Sequence, residues 1–227
     1  MVSRPEGSVE PLGLILSEAL MTTPYPVAFL SALLKPSSRP VLDIERYEEA
    51  SSSARGQGWT AEIGRPLWTV SMDLFEHPVD VAREIDAKVR ALGTNKPFLW
   101  VDPTYDLGGR VPGASVTVRA ISPDRTQISL QGLPAGYPIK IGDRLSINHG
   151  GNWYFAEFAT ASTANASGQT GLMSVTPYPL LTLAAGASVE LAAPILQVRV
   201  PQGAYRPFLH QRGNWSTGAS ISLLQKV

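Results

Sequence analysis

The chain has 227 residues, 44% of them apolar, which is enough for one large or two small packed domains. Lysine plus arginine and aspartate plus glutamate both number 19, and this balance disfavours binding to nucleic acid or to an anionic membrane. The absence of cysteine excludes disulfides, thiolate catalysis and zinc–sulfur sites, and it suits folding in a reducing cytoplasm.

Residues 1–40 form a leader that is interrupted by proline. Its apolar positions predict one or two edge strands or an arm: Leu12, Leu14, Leu16, Val27, Phe29 and Leu33. Acidic residues and prolines interrupt the apolar stretch, so we expect neither a signal peptide nor a membrane span: Glu6, Glu10, Glu18, Pro24 and Pro26. Further on, the small polar residues of Ser51 to Gly58 predict a mobile loop.

A helix between two strands is the clearest pattern in the chain. Alternating apolar residues over 68–74 predict a half-buried strand. Pro78 then opens a helix over residues 78–92, and Gly93 ends it in a left-handed conformation. The apolar residues of this helix recur at helical spacing and form one stripe: Val79, Ala82, Ile85, Val89 and Leu92. The apolar run 98–101 predicts a buried strand, so one helix packs on a sheet.

The later part of the chain predicts a second, all-β module. Residues 106–113 are rich in glycine and proline, as is typical of a domain boundary. Short alternating segments follow, and His149-Gly150-Gly151-Asn152 predicts the turn of a hairpin. Segments 195–200 and 221–224 again have strand patterns, and our preferred topology returns them to the first sheet. The expected fold is mainly β (α+β): a β-sandwich-like domain, 41–105 and 195–227, and an inserted antiparallel barrel-like domain, 106–194.

No residue constellation points to catalysis, a metal or a cofactor. His77, His149 and His210 lie outside any metal-binding motif and are better explained as a residue before the helix, a turn residue and a loop residue. The chain has no GxSxG elbow, no Walker loop and no GxGxxG at a strand-to-helix junction. Neighbouring carboxylates fit a solvated face: Glu45, Glu48 and Glu49. The tryptophans favour a core over a sugar platform, because several fall on positions expected to be buried: Trp68, Trp100 and Trp153.

The order of these elements resembles that of a phage protein family. Trp59, the strand 68–74, the helix 79–92 with Gly93, and Phe98-Leu99-Trp100 are similar to the core of distal tail proteins and related tail-tip proteins of long-tailed bacteriophages. Segment 139–147, with its Gly142-Asp143 turn, resembles their inserted β-domain, together with later motifs: Trp153-Tyr154, Gly168 to Val175, and Pro177. The resemblance covers residues 59–200.

The resemblance implies a structural virion protein and no enzyme. Such proteins form a ring, usually a hexamer, at the junction between the tail tube and the tip. The family's first domain builds the ring and its second faces outward. Expected partners are further copies of the chain, the tail tube protein, the hub and the tape-measure protein, with DNA passing through the lumen without specific binding. The expected location is the virion tail tip, assembled in the host cytoplasm, and residues 1–40 are expected to take part in subunit contacts.

Three alternatives remain open at this stage. A tail tube or terminator protein would use the same all-β ring, and its position in the virion would separate it from a distal tail protein. A carbohydrate-binding module at the tail tip would place several aromatic residues on one exposed surface. A hydrolase with an unfamiliar site would depend on the histidines, but no nucleophile–base pair supports it.

Overall fold

The computed structural model describes residues 23–52, 56, 58–93, 95–113, 115–210 and 213–226. This part of the chain is mainly β with one α-helix and a barrel-like sheet, which confirms the expected fold class. A 3₁₀ helix, Val27–Phe29, comes first. The remaining elements are, in chain order, β1 Val41–Ser52, β2 Gly58–Asp73, β3 His77–Pro78, α1 Val79–Leu92, β4 Phe98–Val101, β5 Thr117–Ile121, β6 Gln127–Gln131, β7 Pro138–Ile139, β8 Arg144–His149, β9 Asn152–Phe158, β10 Ser162–Thr163, β11 Met173–Thr176, β12 Val189–Glu190, β13 Ile195–Arg199, β14 Tyr205–Arg206, β15 Leu209–His210, β16 Trp215–Thr217 and β17 Ser220–Gln225.

The first sheet has the strand order β1-β2-β17-β13-β4, and β14 pairs with β17. All of these pairings are antiparallel. The last part of the chain therefore supplies the two strands that separate β2 from β4. Alternation along β2 buries the predicted side chains, Trp68, Val70 and Met72, and Leu74 just beyond them. The strand itself begins at Gly58, well before the alternation, because it pairs with β1.

Helix α1 covers this sheet with its apolar face. It begins one residue later than predicted, because Pro78 is extended, with ψ 146°, and pairs with Trp215 of β16. Gly93 ends the helix at a positive φ of 58°, as predicted, but its ψ of −156° lies outside the left-handed helical region. Ala82, Ile85, Val89 and Leu92 of the predicted stripe are buried, whereas Val79 at the first turn is half-buried. The apolar pattern does not predict the burial of a fifth helical residue, Asp86, because that burial depends on residues far along the chain.

The described part of the leader packs on its own subunit. Leu30 and Leu34 are buried in the core under α1, and the segment contains a 3₁₀ helix and isolated bridges rather than an edge strand. Tyr25 donates its backbone N–H to Pro97 and accepts one from Leu99, which fixes the segment beside β4. The predictions for Leu12, Leu14 and Leu16 fall outside the described residues, as do residues 53–55 and 57 of the predicted loop.

The second six-stranded sheet has the order β12-β8-β9-β11-β6-β5 and curls towards closure. Backbone bonds from Val118 to Ala187 and from Val189 to Val116 bring β5 back towards β12. The predicted turn joins β8 to β9, and both of its glycines have positive φ, 59° at Gly150 and 85° at Gly151. A second buried cluster fills this sheet and draws on residues 107–191. The pair β7–β10 lies outside the six-stranded order.

The two sheets contact each other through an aromatic pair and an ion pair. Phe155 of β9 is buried in the core of the first sheet, where its ring meets Trp68 edge to face with centroids 5.5 Å apart. Arg144 of β8 lies 2.8 Å from the carboxylate of Asp102, which follows β4. These two contacts fix the barrel-like sheet relative to the first sheet. Within the barrel-like domain, the Arg110 guanidinium donates two hydrogen bonds to the Asp143 carboxylate, at 2.5 and 2.6 Å.

Candidate functional site

The β1–β2 hairpin extends beyond the core. Five residue pairs, from Glu48–Glu62 to Ser52–Gly58, form its end, and all ten residues are exposed. At about 3.3 Å per residue this end is about 15 Å long. A two-stranded ribbon without a covered face is only marginally stable in water. We call residues 48–52 and 58–63 the outer hairpin; all of its residues are exposed in the single subunit.

The two faces of the outer hairpin differ in chemistry. Trp59 and Ala61 alternate on β2 and therefore share a face, and Trp59 is 59% exposed. Glu49 lies opposite Ala61, so its carboxylate is on the same face as the indole. The other face carries Glu48 directly opposite Glu62. The carboxylates at positions 45, 48 and 49 are all exposed, as the sequence predicts for a solvated face.

A cleft of about 460 Å³ lies at the base of the hairpin. One wall comes from the hairpin itself and the other from residues 176–179, the loop that follows β11. The lining combines cationic, apolar and acidic groups, and it includes Arg46, Glu62, Ile63, Arg65, Pro177 and Tyr178. Its volume falls within the range of ligand pockets, and the exposed Ile63 and Tyr178 give it an apolar rim.

Arg65 brings an uncompensated positive charge to this cleft. Its Nη2 donates to the backbone oxygen of Tyr178 at 2.6 Å, and its guanidinium carbon lies 5.8 Å from the ring centroid of Tyr154. Its Nε is buried without a partner, and no carboxylate among the described residues lies within ion-pair distance of it. Burial accordingly lowers the pKa of Arg65. A half-buried cation without a counter-ion favours the binding of an anionic group.

Tyr154 holds the outer wall of the cleft. Its hydroxyl donates to the backbone oxygen of Pro177 at 2.6 Å, and the residue is almost fully buried in the barrel-like sheet. Burial raises the pKa of this hydroxyl well above its usual range, so it stays a donor. The loop 176–179 is therefore fixed by a buried hydrogen bond.

Asp86 is the centre of a second polar cluster. The hydroxyl of Tyr205 donates to its carboxylate, Nη2 of Arg90 lies 3.6 Å away, and Nε2 of His210 lies 4.0 Å away. His210 Nδ1 is 2.8 Å from the hydroxyl of Ser216. These are the residue types of a Ser-His-Asp triad, but Ser216 is fully buried and 4.0 Å is too long for a hydrogen bond. The cluster links α1 to residues 205–216 and offers no reachable nucleophile.

The structure brings two of the three histidines near each other. His77 and His210 both lie opposite Ser216 in the small sheet β15-β16-β3, so His210 belongs to a strand and not to the predicted loop. His77 is buried just before α1, as predicted, and His149 lies in the other sheet beside Thr182. Within the described ranges, no group of three or more metal-ligating side chains is found.

The tryptophans divide between the core and the surface. Trp68 and Trp100 are buried, as predicted, whereas Trp153 is only half-buried. Trp59 and Trp215 are exposed, one on the outer hairpin and one on β16. Sequence reasoning had missed the cleft residues Arg46, Arg65 and Tyr178, because their walls come from segments more than a hundred residues apart.

Comparison with known proteins adds no family assignment. The sequence matches no family model, and no curated protein matches it. In the part of the chain that the structure describes, no helix is both long and apolar enough to cross a membrane.

Proposed function

We propose that this chain is a structural virion protein, a distal tail protein that forms a ring between the tail tube and the tip of a long-tailed phage. The order of strand, helix and strand over residues 59–101 supports the proposal through its resemblance to that family. The observation that carries it is the outer hairpin, whose faces are both uncovered in a single subunit.

A closed ring gives this hairpin its partner. Identical subunits related by rotation use a heterologous contact, in which one surface meets a different surface of the next copy. The outer hairpin is one such surface, since it projects from the edge of the first sheet and carries an exposed indole. Exposed apolar side chains of this kind mark protein interaction sites more often than they serve the lone subunit.

The ring would take part in assembly and not in catalysis. Its two faces would meet the tail tube protein and the hub, and its lumen would admit the tape-measure protein and DNA. The equal numbers of acidic and basic residues suit passage of DNA without specific binding. A tube or terminator protein would share this geometry, and immunogold labelling of intact virions would separate the three by position.

The test compares two pairs of substitutions of the same kind. Trp59→Ser with Ile63→Ser removes the two large apolar groups of the outer hairpin, and Val111→Ser with Leu181→Ser removes two apolar groups elsewhere that are even more exposed. We expect light scattering to show a multi-subunit mass for the wild type and the control and a single-subunit mass for the hairpin variant, with unchanged circular dichroism. A hairpin variant that keeps the assembled mass would contradict the proposal.

A further inference from the structure

The cleft at the hairpin base contains two arginines that form no ion pair with the residues that the structure describes. Arg46 and Arg65 both line it, and neither has a carboxylate within ion-pair distance in the described part of the chain. Glu62 lines the same cleft without forming an ion pair. The opposite wall is apolar and rigid, because it consists of prolines and Tyr178 on a loop fixed by Tyr154. The cleft therefore suits a ligand with a carboxylate beside a flat apolar group.

One face of the outer hairpin has this chemistry. Glu49 lies opposite Ala61, and the next pair outward on the same face is Ser51 with Trp59. The carboxylate and the indole are thus neighbours on one face, with only small side chains, Ala61 and Ser51, around them. Neither Glu49 nor Trp59 lines the cleft of its own subunit.

We propose that the cleft at the hairpin base receives the outer hairpin of a second copy of this chain. In this contact the Trp59 indole packs on the wall formed by residues 177–179, and the Glu49 carboxylate pairs with Arg46 and Arg65. The inference rests on the proposed ring and specifies its contact. Because the hairpin and the cleft are different surfaces of one subunit, each copy docks onto the next, and the chain of contacts closes under rotation.

Charge reversal tests the pairing. Glu49→Arg and Arg46→Glu, made singly, should each weaken subunit association at least about tenfold, because each places like charges together. The double variant carries both reversals and should recover most of the wild-type association. Glu48→Arg is the matched control on the opposite face of the hairpin and should change association little. Sedimentation velocity over a dilution series measures the subunit association of the wild type and of the four variants.

The absence of cysteine from the sequence permits a direct proximity test. Ala61→Cys and Tyr178→Cys are prepared as separate proteins, mixed, and treated with a short bismaleimide. We expect a covalent dimer of the two variants, and much less product when Thr60→Cys, on the other face, replaces Ala61→Cys. Equal amounts of covalent dimer from Ala61→Cys and from Thr60→Cys would overturn the proposed docking.

The outcomes separate the contact from the ring. If the wild type assembles but neither single reversal weakens it, the docking proposal is wrong and the ring stands. If the wild type stays a single subunit at every concentration, both proposals fail. A cleft that instead binds free uronic acid oligosaccharides, with assembly insensitive to Arg46→Glu, would identify a sugar acid as the occupant and overturn docking by a second copy.

Discussion

Glu48 and Glu62 lie directly opposite each other on the two strands of the outer hairpin, and both are exposed. Directly opposed like charges destabilise an antiparallel pair. A free subunit therefore keeps a repulsive pair in a hairpin whose side chains are all exposed. This relationship fits a hairpin that is completed by contact with a neighbour.

Removal of the repulsion between Glu48 and Glu62 should stabilise the outer hairpin of the free subunit. Glu48→Lys turns the repulsive pair into an attractive one, and we expect hydrogen exchange of the amides at 59–62 to slow by about twofold to fivefold. Glu49→Lys is the matched control, because its cross-strand neighbour is Ala61. The measurement is made on dilute, single-subunit protein, and equal slowing in both variants would contradict the explanation. The effect should shrink at high salt.

The contact between Trp68 and Phe155 should be a major link between the two sheets. Phe155 belongs to the barrel-like sheet but is 2% exposed in the core of the first, so its removal opens a cavity there. We expect Phe155→Ala to lower the free energy of unfolding by about 3–5 kcal/mol. Phe75→Ala, at a position that is 53% exposed, should cost less than about 0.5 kcal/mol. Urea unfolding measures both, and similar losses would argue against the link.

The bidentate pair between Arg110 and Asp143 should stabilise the start of the barrel-like domain. Both side chains are largely buried, and Asp143 also accepts a hydrogen bond from the backbone N–H of Lys140. Arg110→Met leaves the carboxylate short of donors and should cost about 1–3 kcal/mol in the free energy of unfolding. Glu84→Gln, which breaks an exposed pair with Lys88 on α1, should cost under about 0.5 kcal/mol. Equal costs would mean that the buried pair contributes no more than a surface pair.

His77 should make stability depend on pH. Burial, with a smaller contribution from Lys35, lowers its pKa below the usual 6.5. His77 therefore binds a proton more tightly in the unfolded chain than in the folded one. Its contribution to the free energy of unfolding is complete above about pH 6.5 and is lost as the pH falls from there towards the folded pKa. His77→Phe removes it, and the variant should gain stability relative to wild type between about pH 7 and about pH 5. If the free energies of unfolding of the two proteins change with pH in parallel over this range, the effect is ruled out.

Local sequence patterns were enough to predict the elements whose conformation depends on neighbouring residues in the chain. The alternation before Leu74, the helix that ends at Gly93 and the Gly150-Gly151 turn each depend on neighbours in the chain, and the structure confirms them. The fold class followed from these elements together with the spacing of the turns.

The remaining features depend on distant partners. The outer part of β1, residues 48–52, is polar and exposed, so its own residues do not distinguish it from a loop until it pairs with β2. Asp86 is buried on α1, and its hydrogen-bond partner Tyr205 lies 119 positions later in the chain. The cleft likewise needs Arg65 and Tyr178 to meet across 113 positions. A single sequence does not specify such pairings.

Electron microscopy of the concentrated, purified protein tests the central proposal most directly. The account predicts closed rings of a single symmetry, with the β1–β2 hairpin of each subunit lying against the next. Single subunits at high concentration, together with the absence of the chain from purified virion tails, would contradict it.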